Sequence, residues 1–371
     1  MITLQKFEFQ SITVYPEPPK KRRELDVCNV VFCFLVILIH VLAEPVTQYR
    51  KDSVLYVLAL GPWRLSAYVV QGFLFLAGVK TFLTHKSPVD PFSYSKYAVG
   101  RLRRVVLPYL CVLLLFTAYL TGIGQAPESL TAWLWDAVTG RLVGHFYFVP
   151  VICQFYLLIP LWRRMVYHGS AVLSLLTSFV IMFLCKLYLP DVLTCITGRD
   201  FTGNAVLFTT YLFYFVAGCY CGRYYEHFRA YLRQHAKSIY AGWIFCAAVN
   251  WVFIVLNGKG IYYAPWLEGF HVLYCLYAIL GSLALADSYA IQHSASSTLM
   301  QCINRQSYWI YLLHPLFIFL VNGLCGKIGL HSVSLRFVVR VIAVYFLSVF
   351  IVAVPFDQIG KWIRSNGKKA K

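Results

Sequence analysis

The chain has 371 residues, of which 59% are hydrophobic and only 13% charged, with a mean hydropathy of +0.64. A soluble globular chain carries roughly a quarter charged residues, so this composition belongs to an integral membrane protein. The 28 Phe and 27 Tyr exclude a disordered chain, and 12 Cys are too dilute for a disulfide scaffold. The net charge of +18 would suggest a nucleic-acid partner in a soluble chain; here it serves orientation in the bilayer, and no nucleic-acid partner is expected.

The N-terminus up to Asp26 is polar and carries Lys20-Lys21-Arg22-Arg23. The first apolar run, 27–43, is longer than a signal-peptide core and lacks a clear small-residue cleavage site, so it reads as a retained helix. A span needs roughly 20 apolar residues. On that basis ten spans follow in order: 27–43, 66–84, 105–121, 146–162, 171–189, 206–222, 238–257, 268–287, 307–325 and 336–354. The apolar stretch 54–63 is interrupted by Gly61-Pro62 and reads as a re-entrant or interfacial piece.

Loop charge supports this count. With the N-terminus in the cytoplasm, the inner segments collect the 20–23 cluster, Arg101, Arg103, Arg104, Arg163, Arg164, Arg223, Arg229, Arg233 and the basic tail. The outer segments hold far fewer Lys and Arg, and Lys80 and Lys186 fall inside spans. This alternation predicts an all-α polytopic bundle of about ten helices with both termini cytoplasmic. The expected organisation is a cytoplasmic segment 1–26, a transmembrane domain 27–354 and a basic tail 355–371. No internal repeat of the kind seen in many secondary transporters is evident.

Most Cys lie in apolar runs, where Cys acts as a small hydrophobe. Cys219 and Cys221 are too closely spaced for the usual ligand pattern, so no metal site is expected.

Ionisable residues within spans mark candidate sites. His40 follows Asp26 by fourteen residues, about 21 Å along a helix. Asp26, Asn29, Cys33, Val36 and His40 share one face, which should look into the bundle. Asp26 is too far from His40 to form a dyad and is assigned to the cytoplasmic entrance. His40 alone is equally a packing histidine bonded to a neighbouring helix. Arg101-Leu102-Arg103-Arg104, followed by Pro108, is either a positive-inside anchor or a phosphate site, since guanidinium binds phosphate bidentately. Ser307, Tyr311 and His314 are spaced four and three apart and share a polar helix face, which also fits an interhelical hydrogen-bond cluster.

Taken in order, these residues resemble the acyltransferase 3 family of integral-membrane acyltransferases, which includes O-antigen and exopolysaccharide O-acetyltransferases. The resemblance rests on five motifs spread along nearly the whole chain. Asp26 and His40 come first, then the Gln71–Gly78 aromatic-rich segment and Arg101-x-x-Arg104-x-x-x-Pro108. His145-Phe146-Tyr147-Phe148 with Gln154-Phe155-Tyr156 and Pro160 follows, and Ser307-x-x-x-Tyr311-x-x-His314 closes the series. Three positions depart from the family pattern. Asn29 replaces a basic residue, Ile152-Cys153 stands where many members have Glu, and Ala77 replaces Ser.

The resemblance implies transfer of an acyl group, acetyl by expectation, from cytoplasmic acyl-CoA to a hydroxyl of a cell-surface or exported polysaccharide. It implies a multi-pass protein of the plasma membrane, among membrane lipids, with no permanently bound cofactor and acyl-CoA as co-substrate. His40 would be the general base, or the carrier of a covalent acyl group. Arg101 and Arg104 would hold the donor. Gln71, Tyr311 and His314 would orient His40 or bind the oxyanion, with Asp26, Asn29 and Ser307 in support. A glycan, lipid-linked glycan or partner protein would reach the bundle from outside. Two other classes stay open: a transporter or flippase in which His40 and His314 line a polar path, and a structural subunit of a glycan-export machine.

Overall fold

The computed structural model describes residues 22–84, 92–125, 127–198, 204–293 and 297–360. The expected N-terminal segment up to residue 21, and the basic tail from residue 361, lie outside these residues. Among the described residues every regular element is helical. The α-helices are α1 (Arg23–Gln48), α2 (Val54–Ser66), α3 (Val69–Thr84), α4 (Tyr94–Arg101), α5 (Leu107–Gly122), α6 (Leu130–Thr139), α7 (Phe148–Leu157) and α8 (Ile159–His168). They continue with α9 (Ala171–Thr197), α10 (Leu212–Arg223), α11 (Tyr225–Gln234), α12 (Ala236–Gly258), α13 (Leu267–Gln292), α14 (Thr298–Lys327) and α15 (Val333–Leu347).

Serine starts many of them. Ser53, Ser129 and Ser297 each accept an amide hydrogen from the third residue on, at 3.1 Å. That bond satisfies one of the orphan donors of a helix N-terminus.

Among the described residues, eight helices or fused helix pairs are long and apolar enough to cross a membrane, or nine if the bent pair α7–α8 forms one span. The expected 146–162 span is that pair, bent by 58° around Leu158, with Pro160 at the first turn of α8. The expected 206–222 span is two 3-10 turns leading into the 12-residue α10. Hydropathy alone could not separate this short core helix from a lipid-facing one.

The expected re-entrant piece at 54–63 is corrected. Gly61 and Pro62 lie inside α2, which runs on into α3 across only two residues, as one segment Val54–Thr84. Gly61 serves packing rather than interruption: a Cβ there would come within 2.2 Å of the Trp251 ring on α12.

α1 runs through the interior. Phe32, Ile37 and Val41 are fully buried, and α1 packs against α2, α13, α14 and α15. Its polar residues are held by partners on other helices. Buried Glu24 accepts from the Tyr225 hydroxyl at 2.8 Å. Glu44 pairs with Arg336 at 3.2 Å and with the fully buried Arg340 of α15. At the same end of the bundle as Glu24, Asp287 of α13 is clamped by Arg229 and Arg233 of α11.

The closest helix contact joins α3 and α10. A Cβ on Gly218 would lie 2.1 Å from the Phe75 carbonyl oxygen, and one on Gly222 would lie 2.4 Å from that of Val79. Two glycines four apart on one face let the backbones touch, the arrangement that drives helix association in lipid. Gly218→Val should therefore force α3 and α10 apart and destabilise the protein by about 1–3 kcal/mol or more. Thermal unfolding in detergent is the check, with Gly100→Ala as control, since a Cβ there meets nothing within 4 Å.

Candidate active site

Three histidines from distant parts of the chain meet in the bundle. α1 carries His40, α14 carries His314, and the turn before α7 carries His145. Ring centres lie 5.1 Å apart for His40 and His314, 5.8 Å for His40 and His145, and 5.2 Å for His145 and His314.

The turn owes its path to Gly140, which ends α6 at φ 70°. A side chain there would strike the backbone of Tyr147 at 2.5 Å, so only glycine lets the chain fold back to place His145. The Tyr311 hydroxyl then donates to the His145 carbonyl and ties the turn to α14.

His145 and His314 are buried, and Nε2 of each has no hydrogen-bond partner. Nδ1 of His314 lies 3.1 Å from the Ile310 carbonyl. A carbonyl only accepts, so Nδ1 carries the proton and neutral His314 presents a bare Nε2 lone pair. An unpaired polar atom buried this deep costs free energy, which favours a functional reading. The contrast within the same bundle is His271, whose Nδ1 pairs with Asn250 at 3.0 Å as an ordinary packing histidine does.

His40 is partly exposed to a cavity of about 140 Å³, which His145, Tyr147, Phe148, Phe73 and Tyr311 also line. Phe73, Phe148 and Tyr311 in turn line a second cavity of about 200 Å³ toward the Asp26 end of α1. Lys80 and Arg101 both line this second cavity and, among the described residues, no carboxylate does, a charge balance that favours an anion. Its Asn29 lies eleven residues before His40, about 16 Å along α1.

Arg101 lies over the rings of Tyr97 at 4.9 Å and Tyr156 at 4.2 Å, contacts that favour a guanidinium. The next five residues, Leu102–Val106, form a π-helical turn. In a straight α-helix Arg101 and Arg104 would share a face. The wider π turn breaks that register, and Arg104 is exposed outside both cavities. The Tyr308 hydroxyl donates to the Val105 carbonyl at 2.9 Å and docks this turn on α14.

The remaining expected residues form the frame. Asn29 donates to Asn304 at 2.9 Å and to Ser307 at 2.8 Å, and Asn304 donates to Asp26 at 2.7 Å. Asp26 thus ties its end of α1 to α14, while Ser307 lines the second cavity. Gln71, with its amide oriented to satisfy hydrogen bonding, donates to the Ala67 and Tyr68 carbonyls at the α2–α3 break and lines neither cavity. Tyr311 is held by the His145 carbonyl.

Two residues of the site went unassigned in the sequence. Lys80, a lone cation inside an apolar span, carried the signal that intramembrane charge always gives. His145 lies in an aromatic motif outside any regular helix, so no periodicity aimed it at His40. Of the positions noted as departing from the expected family pattern, Asn29, Ala77 and Ile152 line the second cavity and Cys153 does not.

Comparison with known proteins follows this geometry. Residues 22–356 match the model of the acyltransferase domain of the acyltransferase 3 family. A Staphylococcus aureus (strain MSSA476) protein named "Probable poly-beta-1,6-N-acetyl-D-glucosamine export protein" is 23% identical over 308 residues, 80% of this chain and 82% of its own length. A Bacillus subtilis (strain 168) protein named "Putative membrane-bound acyltransferase YfiQ" is 23% identical over 237 residues, 61% of this chain and 63% of its own. No solved structure matches the chain. With the family model spanning nearly all of it, and with its bundle of membrane-length helices, the chain is a multi-pass membrane protein that belongs to the acyltransferase 3 family.

Proposed function

We propose that this protein transfers an acetyl group from cytoplasmic acetyl-CoA to a hydroxyl of a cell-surface or exported glycan, in the plasma membrane, with His40 as general base. The observation that carries the reading is that the two cavities adjoin: one is cationic and lined by Arg101, the other holds His40, and Phe73, Phe148 and Tyr311 are common to both walls. We place the Arg101 end on the cytoplasmic side because Lys and Arg crowd that end, and both termini go with it.

In this reading the donor's phosphates meet Arg101 and Lys80, and its pantetheine arm rises through the second cavity toward His40. The acceptor enters from the opposite side. His40 takes the proton of the acceptor hydroxyl as the oxygen attacks the thioester carbonyl. The tetrahedral intermediate collapses, the C–S bond breaks, and the leaving thiolate recovers the proton from the imidazolium. His314, with its bare Nε2 and its ring centre 5.1 Å from that of His40, is placed to accept from the imidazolium as it forms. His145 completes the chamber, and its placement depends on the bond from Tyr311. Asp26, Asn29 and Ser307 keep the donor end of α1 against α14. Arg104, outside the cavities, acts as an anchor at the membrane surface.

The relative named for glycan export supports a second reading, substrate passage without chemistry. Acetyl-CoA labelled in the acetyl group separates the two. Isolated membranes bearing the wild-type protein should place base-labile label on glycan, and His40→Ala should lower that transfer by about 10²–10⁴-fold with protein level unchanged. Glycan movement with no label in either case, from acetyl-CoA or succinyl-CoA, would favour passage. Arg101→Gln should raise KM for acetyl-CoA about tenfold or more while kcat stays within about twofold. An unchanged KM would remove Arg101 from donor binding.

A further inference from the structure

The backbone between α6 and α7 breaks deep in the bundle. The Trp133 indole of α6 donates to the Thr117 hydroxyl at 2.7 Å, and the Tyr109 hydroxyl donates to the Ala137 carbonyl at 2.8 Å. Phe146 then packs on Tyr109 with ring centres 5.3 Å apart. Tyr109 sits midway along the segment Tyr94–Gly122, which is long enough to cross the membrane. Irregular backbone at that depth persists only where protein buries it or where it lines a cavity. Tyr147 and Phe148 do line the His40 cavity, and Phe148 also lines the Arg101 cavity. Here α7 begins.

That beginning leaves one amide poorly partnered. Tyr147, the N-cap residue, supplies no side-chain cap. In the first turn Val149 donates to the Phe146 carbonyl at 3.0 Å, Pro150 has no N–H, and Val151 donates to the Tyr147 carbonyl at 3.3 Å. The Phe148 amide reaches the His145 carbonyl only at 3.5 Å, beyond the ~3.2 Å of an ordinary bond, and that carbonyl already accepts from the Tyr311 hydroxyl. The plain reading is a loosely started helix. An independent feature goes further: the His145 ring, 4% exposed, lines the same cavity with an Nε2 that has no partner. The ten-residue α7 also brings its positive dipole end to this cavity, while Phe148, Ile152 and Tyr156 along one of its faces line the donor cavity as far as Arg101.

We propose that the Phe148 amide and the Nε2–H of His145 form the oxyanion hole of the transfer reaction. The inference rests on the acyl-CoA reading above and extends it. As the acceptor oxygen bonds to the thioester carbonyl carbon, its proton passes to His40 and the carbonyl electron pair moves onto oxygen. That charge develops between membrane-spanning helices, and two fixed donors beside a helix N-terminus stabilise it there. The pair returns as the C–S bond breaks, and the thiolate takes the proton back from His40. His145 thus donates to the oxyanion, while His314 accepts from His40. The two donors lie three residues apart in one motif, His145-Phe146-Tyr147-Phe148.

The experiment measures kcat and KM for acetyl-CoA in proteoliposomes. Exchanging the Phe148 amide for an ester, by incorporating phenyllactate at position 148, keeps the ring and removes the N–H. It should lower kcat about 10²–10³-fold with KM within about twofold. His145→Ala should lower kcat by a similar factor, and His145→Gln, which can donate but cannot act as a base, should recover about tenfold or more of that loss. Thermal unfolding in detergent checks that each protein is folded, and the His145 pair carries the test if the ester protein is not. An ester protein with kcat within about twofold of wild type would overturn the proposal, and so would His145→Gln no more active than His145→Ala. Wild-type protein that transfers no acetyl label to glycan would instead overturn the acyl-CoA reading itself.

Discussion

Polar groups inside a bilayer must find partners in the protein, because the hydrocarbon offers none. This constraint organises the whole bundle around α1. Glu24 is answered by Tyr225, Asp26 by Asn304, Asn29 by Ser307, and Glu44 by Arg336 and Arg340. These bonds dock α1 on α11, α14 and α15 and fix its rotation. His40, on the same helix, has no hydrogen bond among the described residues and faces two more histidines whose Nε2 atoms are also unpaired. Glu44 Oε1 on the same helix also lacks a hydrogen bond but stays paired with Arg336; His40 has no such partner, which supports the proposal that it meets a substrate.

The same economy shapes the donor side. Among the described residues, two cations and no carboxylate line the second cavity. The π turn after Arg101 decides which arginine enters it. Asn29, Ala77 and Ile152 sit together on that cavity wall and not in the histidine chamber.

Much of this was legible in the residues. Apolar run length placed the long helices, and residue spacing put Asp26, Asn29 and His40 on one face. The Ser307–His314 face was legible for the same reason. What failed were features that depend on what surrounds a segment. Gly61-Pro62 reads as a break, yet Trp251 needs that glycine and the helix continues. The 206–222 run is as apolar as a span but becomes a short helix buried against α3. Arg104 follows Arg101 at helical spacing, and one π turn separates them. His145 reaches its place through a turn set by Gly140 and Tyr311, contacts that no local pattern reveals.

The central claim is that the donor reaches His40 from the Arg101 cavity, between the shared walls Phe73, Phe148 and Tyr311. Ala77 lines the donor cavity and takes no part in the chemistry, so Ala77→Phe plugs the path and leaves both ends intact. The direct measurement is acetyl transfer by this variant at saturating acetyl-CoA, with thermal unfolding recorded beside it. The account predicts transfer at background with normal unfolding. Transfer at the wild-type rate would contradict it and send the donor to His40 by another route.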